Sequence, residues 1–345
     1  MTGMIEVVRP GFGVTLQDRG RHGQRHQGIP QSGWLDGPLA EAANALVGNN
    51  GGEAVLELRG SGLELRVKCG PVRMALAGAI QAHILRADGQ RTQLPAWHST
   101  TLLVGDRVQL GAAESGCAYL ALSGGCQLPM QVGSRSSYWR AGLTGLQGRP
   151  LQIGDMLPCS DWVAPNPKEW CTPSPWTLPK GPVRVLLGPQ QDHFQESAIA
   201  SFLSDEWEAT AEQDRMGVRL RGAALSHCNP AAADIISDAV TPGAIQVPAN
   251  GQPIVLMADS QTVGGYPKIA TVISADLPRL AHLKAGTRLR FQAVSHAQAR
   301  QALQEQRTVW QSWLASRTSF VPAGFIDEQA LYGNNLISGM QRADL

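Results

Sequence analysis

The stretch Leu63-Glu64-Leu65-Arg66-Val67-Lys68-Cys69-Gly70-Pro71-Val72-Arg73-Met74-Ala75-Leu76-Ala77 carries the reading of the fold. From Leu63 to Val67 apolar and polar residues alternate, the period of a strand with one buried face. Gly70-Pro71 then breaks the chain, and Val72–Ala77 follows as a short run too brief for a helix. The tetrapeptide Gly70-Pro71-Val72-Arg73 returns as Gly181-Pro182-Val183-Arg184, again opening an apolar strand. Gly105-Asp106-Arg107-Val108-Gln109-Leu110 resembles Gly286-Thr287-Arg288-Leu289-Arg290-Phe291 in the same way. Two related β lobes are one reading of these echoes, and chance short matches are the other.

Further strands are expected at Ile5–Val8, Thr100–Val104, Val108–Leu110, Tyr119–Leu122, Val183–Leu187, Arg219–Leu220, Ile254–Met257, Ala270–Ile273 and Leu289–Ala293, with Gly or Pro in nearly every gap. Three helices stand out. One runs from about Gly37 to Val47, capped by Asp36. A second starts at Asp192 and presents Phe194, Ala198, Phe202 and Leu203. The longest spans roughly His296 to Ala315. Prolines 165, 167, 173, 175, 179 and 182 mark a linker with few backbone donors for a ladder. The expected organisation is an N-terminal lobe over 1–165, a linker over 166–182, a C-terminal lobe over 183–295, and a helix with a loose tail over 296–345. The fold class is mainly β, closed or sandwiched.

Composition narrows the function. Charged residues make up 17% of 345, and Lys+Arg (29) balance Asp+Glu (28). No basic track suggests nucleic acid, no apolar run suggests a membrane span, and the N-terminus lacks a signal-peptide core. Six scattered cysteines without a Cys-x-x-Cys pair fit the cytoplasm. There is no P-loop, dinucleotide fingerprint, His-Glu-x-x-His, nucleophile elbow or biotinylation sequence, so neither a bound metal nor covalently attached biotin is expected. His22 and His26 lie among glycines and do not suggest a metal pair.

Four stretches concentrate polar chemistry beside turns. His26 to Asp36, including Ser32, leads into the first helix, whose free amides can receive an anion. Gly188-Pro189-Gln190-Gln191-Asp192 offers carboxamides able to read both donor and acceptor of a small amide. Asp214-Arg215-Met216-Gly217 places its two charges on opposite faces. The richest is Gln246 with Asp259-Ser260-Gln261-Thr262-Val263-Gly264-Gly265-Tyr266-Pro267-Lys268. There Gly264-Gly265 permits close approach of the backbone, Lys268 can neutralise developing charge, and Asp259 can orient Lys268 or act as a base. The candidate catalytic residues are therefore Asp214, Arg215, Asp259 and Lys268. The candidate substrate-binding residues are Ser32, Gln190, Gln246, Gln261, Thr262, Gly264, Gly265 and Tyr266.

Together with Ile5 to Gly11, Gln17-Asp18-Arg19-Gly20-Arg21, Gly28 to Gly33 and Ala43 to Asn49, these segments resemble the KipA family over about residues 4 to 295. That family is also called allophanate hydrolase subunit 2, biotin-dependent carboxyltransferase-like, or 5-oxoprolinase subunit PxpC. The resemblance implies cyclophilin-like barrels, a KipI/PxpB-like partner subunit and, for the oxoprolinase members, a PxpA-like subunit and ATP. It implies three activities: opening of 5-oxoproline to glutamate, carboxyl transfer to urea, or control of a kinase inhibitor. Gln213, Val218 and Val263 depart from the family's usual residues around the candidate pocket.

Overall fold

The structure is a computed structural model describing residues 3–143, 146, 149–160 and 169–320. The two strands of the opening stretch, Leu63–Cys69 and Val72–Ala77, fall in different sheets. A six-stranded antiparallel sheet is ordered Met156–Cys159, Gly3–Pro10, Leu63–Cys69, Arg107–Ala113, Ile80–Leu85, Arg91–Leu94. A five-stranded antiparallel sheet is ordered Val14–Gln17, Val55–Leu58, Ala118–Leu122, Val72–Ala77, Ser99–Leu102. Ile5, Val7, Leu65 and Val67 of the first pack with Leu56, Leu58, Met74 and Leu76 of the second.

The sequence patterns now have a cause. Gly3–Pro10 and Ile80–Leu85 alternate because one face of the six-stranded sheet is more open. Val72–Ala77 and Ala118–Leu122 are buried throughout, because the five-stranded sheet has a layer on each side. Its second layer is α1 (Gly37–Leu46), whose Leu39, Ala42, Ala43 and Leu46 meet Val55, Ala75, Ala77 and Ala121. Asp36 caps this helix through the Leu39 amide at 3.1 Å, as expected.

The second half is built on an eight-stranded sheet. Its order is Arg288–Leu289, Trp207–Gln213, Gly217–Arg221, Ile254–Leu256, Ala244–Gln246, Lys268–Val272, Val183–Leu187, Phe291–Ala293. The two outermost strands are consecutive in sequence and separated only by Arg290, so one segment lies along both edges and the sheet nearly closes into a barrel. Val185, Phe202, Trp207, Ala209, Ile245, Val255, Ala270 and Phe291 fill it. The single strand expected over Leu289–Ala293 is thus two strands, because its halves pair with different neighbours.

Two other expectations are corrected. The second helix, α2, covers Glu196–Ser204, and Asp192 lies in a preceding 3-10 turn, Gln191–His193. Phe194 between them is extended (φ −111°, ψ 147°) and bridges to His227, so no helix can run through it. Within the proline-rich segment, Glu169–Cys171 does form a ladder, with Thr318–Phe320. Pro165, Pro167 and the tail after Phe320 lie outside the described residues. A short helix α3, Leu277–Leu280, precedes the closing segment. The long helix α4, His296–Ala315, begins at a capping box on Ser295. Its Trp313 meets Trp97 edge-on at 5.5 Å, fastening the helix to the first half. No helix among the described residues is long and apolar enough to cross a membrane.

Candidate functional site

Arg215 occupies the turn between Trp207–Gln213 and Gly217–Arg221 and points away from its own barrel into the first half. Its Nε and Nη2 donate to Asp259 Oδ2 and Oδ1 at 2.9 and 3.0 Å. Nη1 donates to Glu57 Oε1 at 2.6 Å, and Nη2 also reaches the Gly33 carbonyl at 2.6 Å. Glu57 Oε2 in turn accepts from the Tyr119 hydroxyl at 2.7 Å and the Leu35 amide at 3.1 Å. Burial opposes the charge on Arg215, but Asp259 and Glu57 outweigh it and hold its pKa above the ordinary value. Burial pushes the Tyr119 phenol well up.

The two charges of the Asp-Arg-Met-Gly segment separate, but in a turn between strands and not by the alternation of a strand. Asp214 is exposed, and its Oδ1 accepts from the Met216 and Gly217 amides at 2.7 and 3.2 Å. Asp259 does not orient Lys268, since its carboxylate faces Arg215. The Lys268 ammonium, on a residue only 3% exposed, donates instead to Asp238 Oδ2 at 2.8 Å. Asp238 also accepts from Gln190 Nε2 at 3.2 Å, and Gln190 Oε1 accepts from the Lys268 amide at 3.2 Å. The Lys268 hydrogen bond holds the Asp238 carboxyl below its ordinary pKa.

Gln246 ends a barrel strand and is 2% exposed. Its Oε1 accepts from Gln261 Nε2 at 3.3 Å, while its Nε2 approaches the Tyr266 carbonyl at 3.5 Å. Gly264 lies directly against it. A Cβ on Gly264 would stand 2.4 Å from Gln246 Nε2, so this glycine makes room for the carboxamide. Gly264 also pairs with Asp238 in a two-residue ladder, Gly265 accepts from the Ile235 amide at 2.8 Å, and Thr262 accepts from the Val240 amide at 3.0 Å.

Ser32 adopts a left-handed backbone (φ 54°) and anchors its amide to the Ala258 carbonyl at 3.0 Å. Its buried hydroxyl lacks a hydrogen-bond partner, as does that of Ser260. The expected anion site at the start of α1 is filled from within. The Leu35 and Asp36 amides donate to the Tyr119 hydroxyl at 3.1 and 2.9 Å, and Leu39 is capped by Asp36.

These groups border a cleft of two chambers. One, of about 580 Å³, lies between the halves and is walled by Phe12, Arg59, Tyr138, Arg140, Asp259 and Lys284. The other, of about 520 Å³, is walled by Gln246, Gln261, Tyr266, Arg219 and Glu212. Gln213, Asp214, Met216 and Arg140 border both. The cleft therefore gathers Asp214, Arg215, Asp259, Gln246, Gln261 and Tyr266. Gln190 and Lys268 turn toward Asp238, and Ser32 lies at the seam. Glu57 is absent from the residues that the sequence singles out, although a lone acid in the apolar run Val55-Leu56-Glu57-Leu58 signals a buried cationic partner.

A mainly β chain with a near-closed barrel and a polar cleft at its seam is the architecture of a carboxyltransferase domain. Residues 27–293 match the family described as carboxyltransferase domain, subdomain A and B, and the chain belongs to it. It is 34% identical over 307 residues to the 5-oxoprolinase C subunit of Escherichia coli (strain K12), covering 88% of this chain and 96% of that protein. The corresponding protein of Haemophilus influenzae is 33% identical over 297 residues, covering 86% and 93%. Among solved structures, Kluyveromyces lactis urea carboxylase superposes with a TM-score of 0.78 at 27% identity, over 90% of this chain and 29% of that longer one.

Proposed function

We propose that the chain is the PxpC-like subunit of an ATP-dependent 5-oxoprolinase, acting with KipI/PxpB-like and PxpA-like subunits on a small cyclic amide. The observation that carries this reading is the Gln246–Gln261 carboxamide pair on the wall of the smaller chamber, beside Asp214. Their mutual contact of 3.3 Å leaves Gln261 Oε1 as an acceptor for a lactam N–H, with Tyr266 beside it. Near-complete length agreement with the two 5-oxoprolinase relatives supports the choice.

Opening a lactam breaks the C–N bond, adds hydroxyl to the carbonyl carbon and delivers a proton to the nitrogen. Among the four candidate catalytic residues, Arg215 and Asp259 are bound to each other and Lys268 to Asp238. Asp214 remains at the junction of the chambers with one carboxylate oxygen outside its own turn, and is the group assigned to proton transfer. Arg215 and Lys268 hold the loops that place it and the carboxamides.

The test is reconstitution with the two partner subunits. Asp214→Asn is expected to lower 5-oxoproline-dependent ATP hydrolysis by about 10²- to 10⁴-fold with the complex intact. Unchanged turnover would remove Asp214 from the chemistry. A wild-type complex that ignores 5-oxoproline would end the oxoprolinase reading. The resemblance to urea carboxylase supports a second reading, carboxyl transfer to urea with separate biotin-bearing domains. Urea-dependent ATP hydrolysis with such domains, and none with 5-oxoproline, would favour it. A purely regulatory subunit would keep its complex and its cellular output in both Asp259→Asn and Lys268→Ala.

A further inference from the structure

The larger chamber has a chemistry that a small lactam does not need. Arg59, Arg140 and Lys284 line it from three separate elements: the end of strand Val55–Leu58, the 3-10 turn Trp139–Ala141, and the loop after α3. None of these cations has a carboxylate within ion-pair distance among the described residues. Elsewhere Arg66, Arg86, Arg149 and Arg184 each hold one. Of the two carboxylates on this chamber, Asp259 is engaged by Arg215, and Asp214 receives backbone amides on Oδ1 alone. Arg59 Nε is moreover buried without a hydrogen-bond partner.

We infer that this chamber binds a polyphosphate. One carboxylate can meet one or two of the three cations, whereas linked phosphates carry several charges and enough oxygens to reach three elements at once. About 580 Å³ suits a ligand of that size. The chamber shares Asp214 and Met216 with the carboxamide chamber, so the polyphosphate would lie next to the amide. Arg59 and Lys284 line only the larger chamber, whereas Arg140 also borders the carboxamide chamber, so the proposal is read out by triphosphate binding and not by turnover of the amide.

The experiment is calorimetric titration of the full-length chain with inorganic triphosphate, alongside thermal unfolding with and without it. Wild type is expected to bind and to be stabilised. Arg140→Gln and Lys284→Gln, both at exposed residues and safe for folding, are expected to weaken binding by about tenfold each. Arg91→Gln, on an edge strand of the six-stranded sheet, and Gln246→Leu should bind as wild type does. ATP and triphosphate of equal affinity would identify the phosphates as the whole recognition element, and tighter ATP would add stacking on Trp139. No binding by wild type, full binding by the Arg140/Lys284 double variant, or equal displacement by malonate would each overturn the proposal.

Discussion

Two buried cations flank the carboxamide loop, and they are held differently. Arg215 has a carboxylate on each side, and its partners Glu57 and Asp259 have side chains only 0% and 12% exposed. Lys268 is as deeply placed, but its single partner Asp238 is 52% exposed. The first assembly joins the two halves of the molecule, since Glu57 and Gly33 belong to the first half and Arg215 and Asp259 to the second. The second closes a loop within one half. A cation clamped between acids serves geometry across a seam, while one facing a wetted acid leaves that acid free to rehydrate.

The largest effect should come from breaking the clamp. Arg215→Met leaves Glu57 and Asp259 buried and uncompensated, at a cost of about 3–5 kcal/mol in urea unfolding. An equally stable variant would mean that the carboxylates find other partners. His282→Gln probes the same seam at another point. His282 Nε2 meets Asp36 Oδ2 at 2.8 Å, and although burial disfavours its charge, Asp36 and Cys117 together raise its pKa from 6.5 to about 11. A raised pKa means the folded chain holds the extra proton. Its stabilisation is therefore complete below about 6.5 and is lost as pH rises toward about 11. Denaturant midpoints of wild type should fall across that window, and those of His282→Gln should fall less.

Lys268→Met should cost clearly less stability than Arg215→Met in the same titration, because Asp238 can turn to water. Its effect belongs in KM, through the loop that Asp238 and Gln190 restrain. Gly264→Ala is the mildest. The added Cβ must displace the Gln246 carboxamide, so stability should change by less than about 1 kcal/mol while KM for the amide rises. Equal KM values would disconnect Gln246 from substrate.

Much of this was legible in one dimension. Alternation in Leu63–Cys69 against continuous burial in Val72–Ala77 separates a one-sided from a two-sided sheet. Asp36 before Gly37-Pro38 announces α1, and the helical spacing over His296 to Ala315 announces α4. The candidate site residues stand out in the sequence because loops rich in Gly and carboxamides are locally unusual. Their partners do not, because pairing is set by folding. Arg215 meets Glu57 across 158 positions, and Lys268 meets Asp238 rather than the nearer Asp259. Short strands such as Asp238–Ala239 and Val263–Gly264 carry no periodic signal at two residues each. Arg59, Arg140 and Lys284 come from elements with nothing in common locally, so their shared wall was invisible in the sequence.

The segment Arg288–Ala293, lying along both edges of the barrel sheet, bears on how another chain can be met. A neighbouring polypeptide extends a sheet by docking its own backbone on an unpaired rim. Here the protein supplies its own chain as that rim, leaving the barrel little main chain to share. The six-stranded sheet still ends in open strands, Arg91–Leu94 and Met156–Cys159. Among the described residues, a protein meeting the barrel sheet finds side chains more than free backbone, whereas the six-stranded sheet offers end strands to which one more can be added.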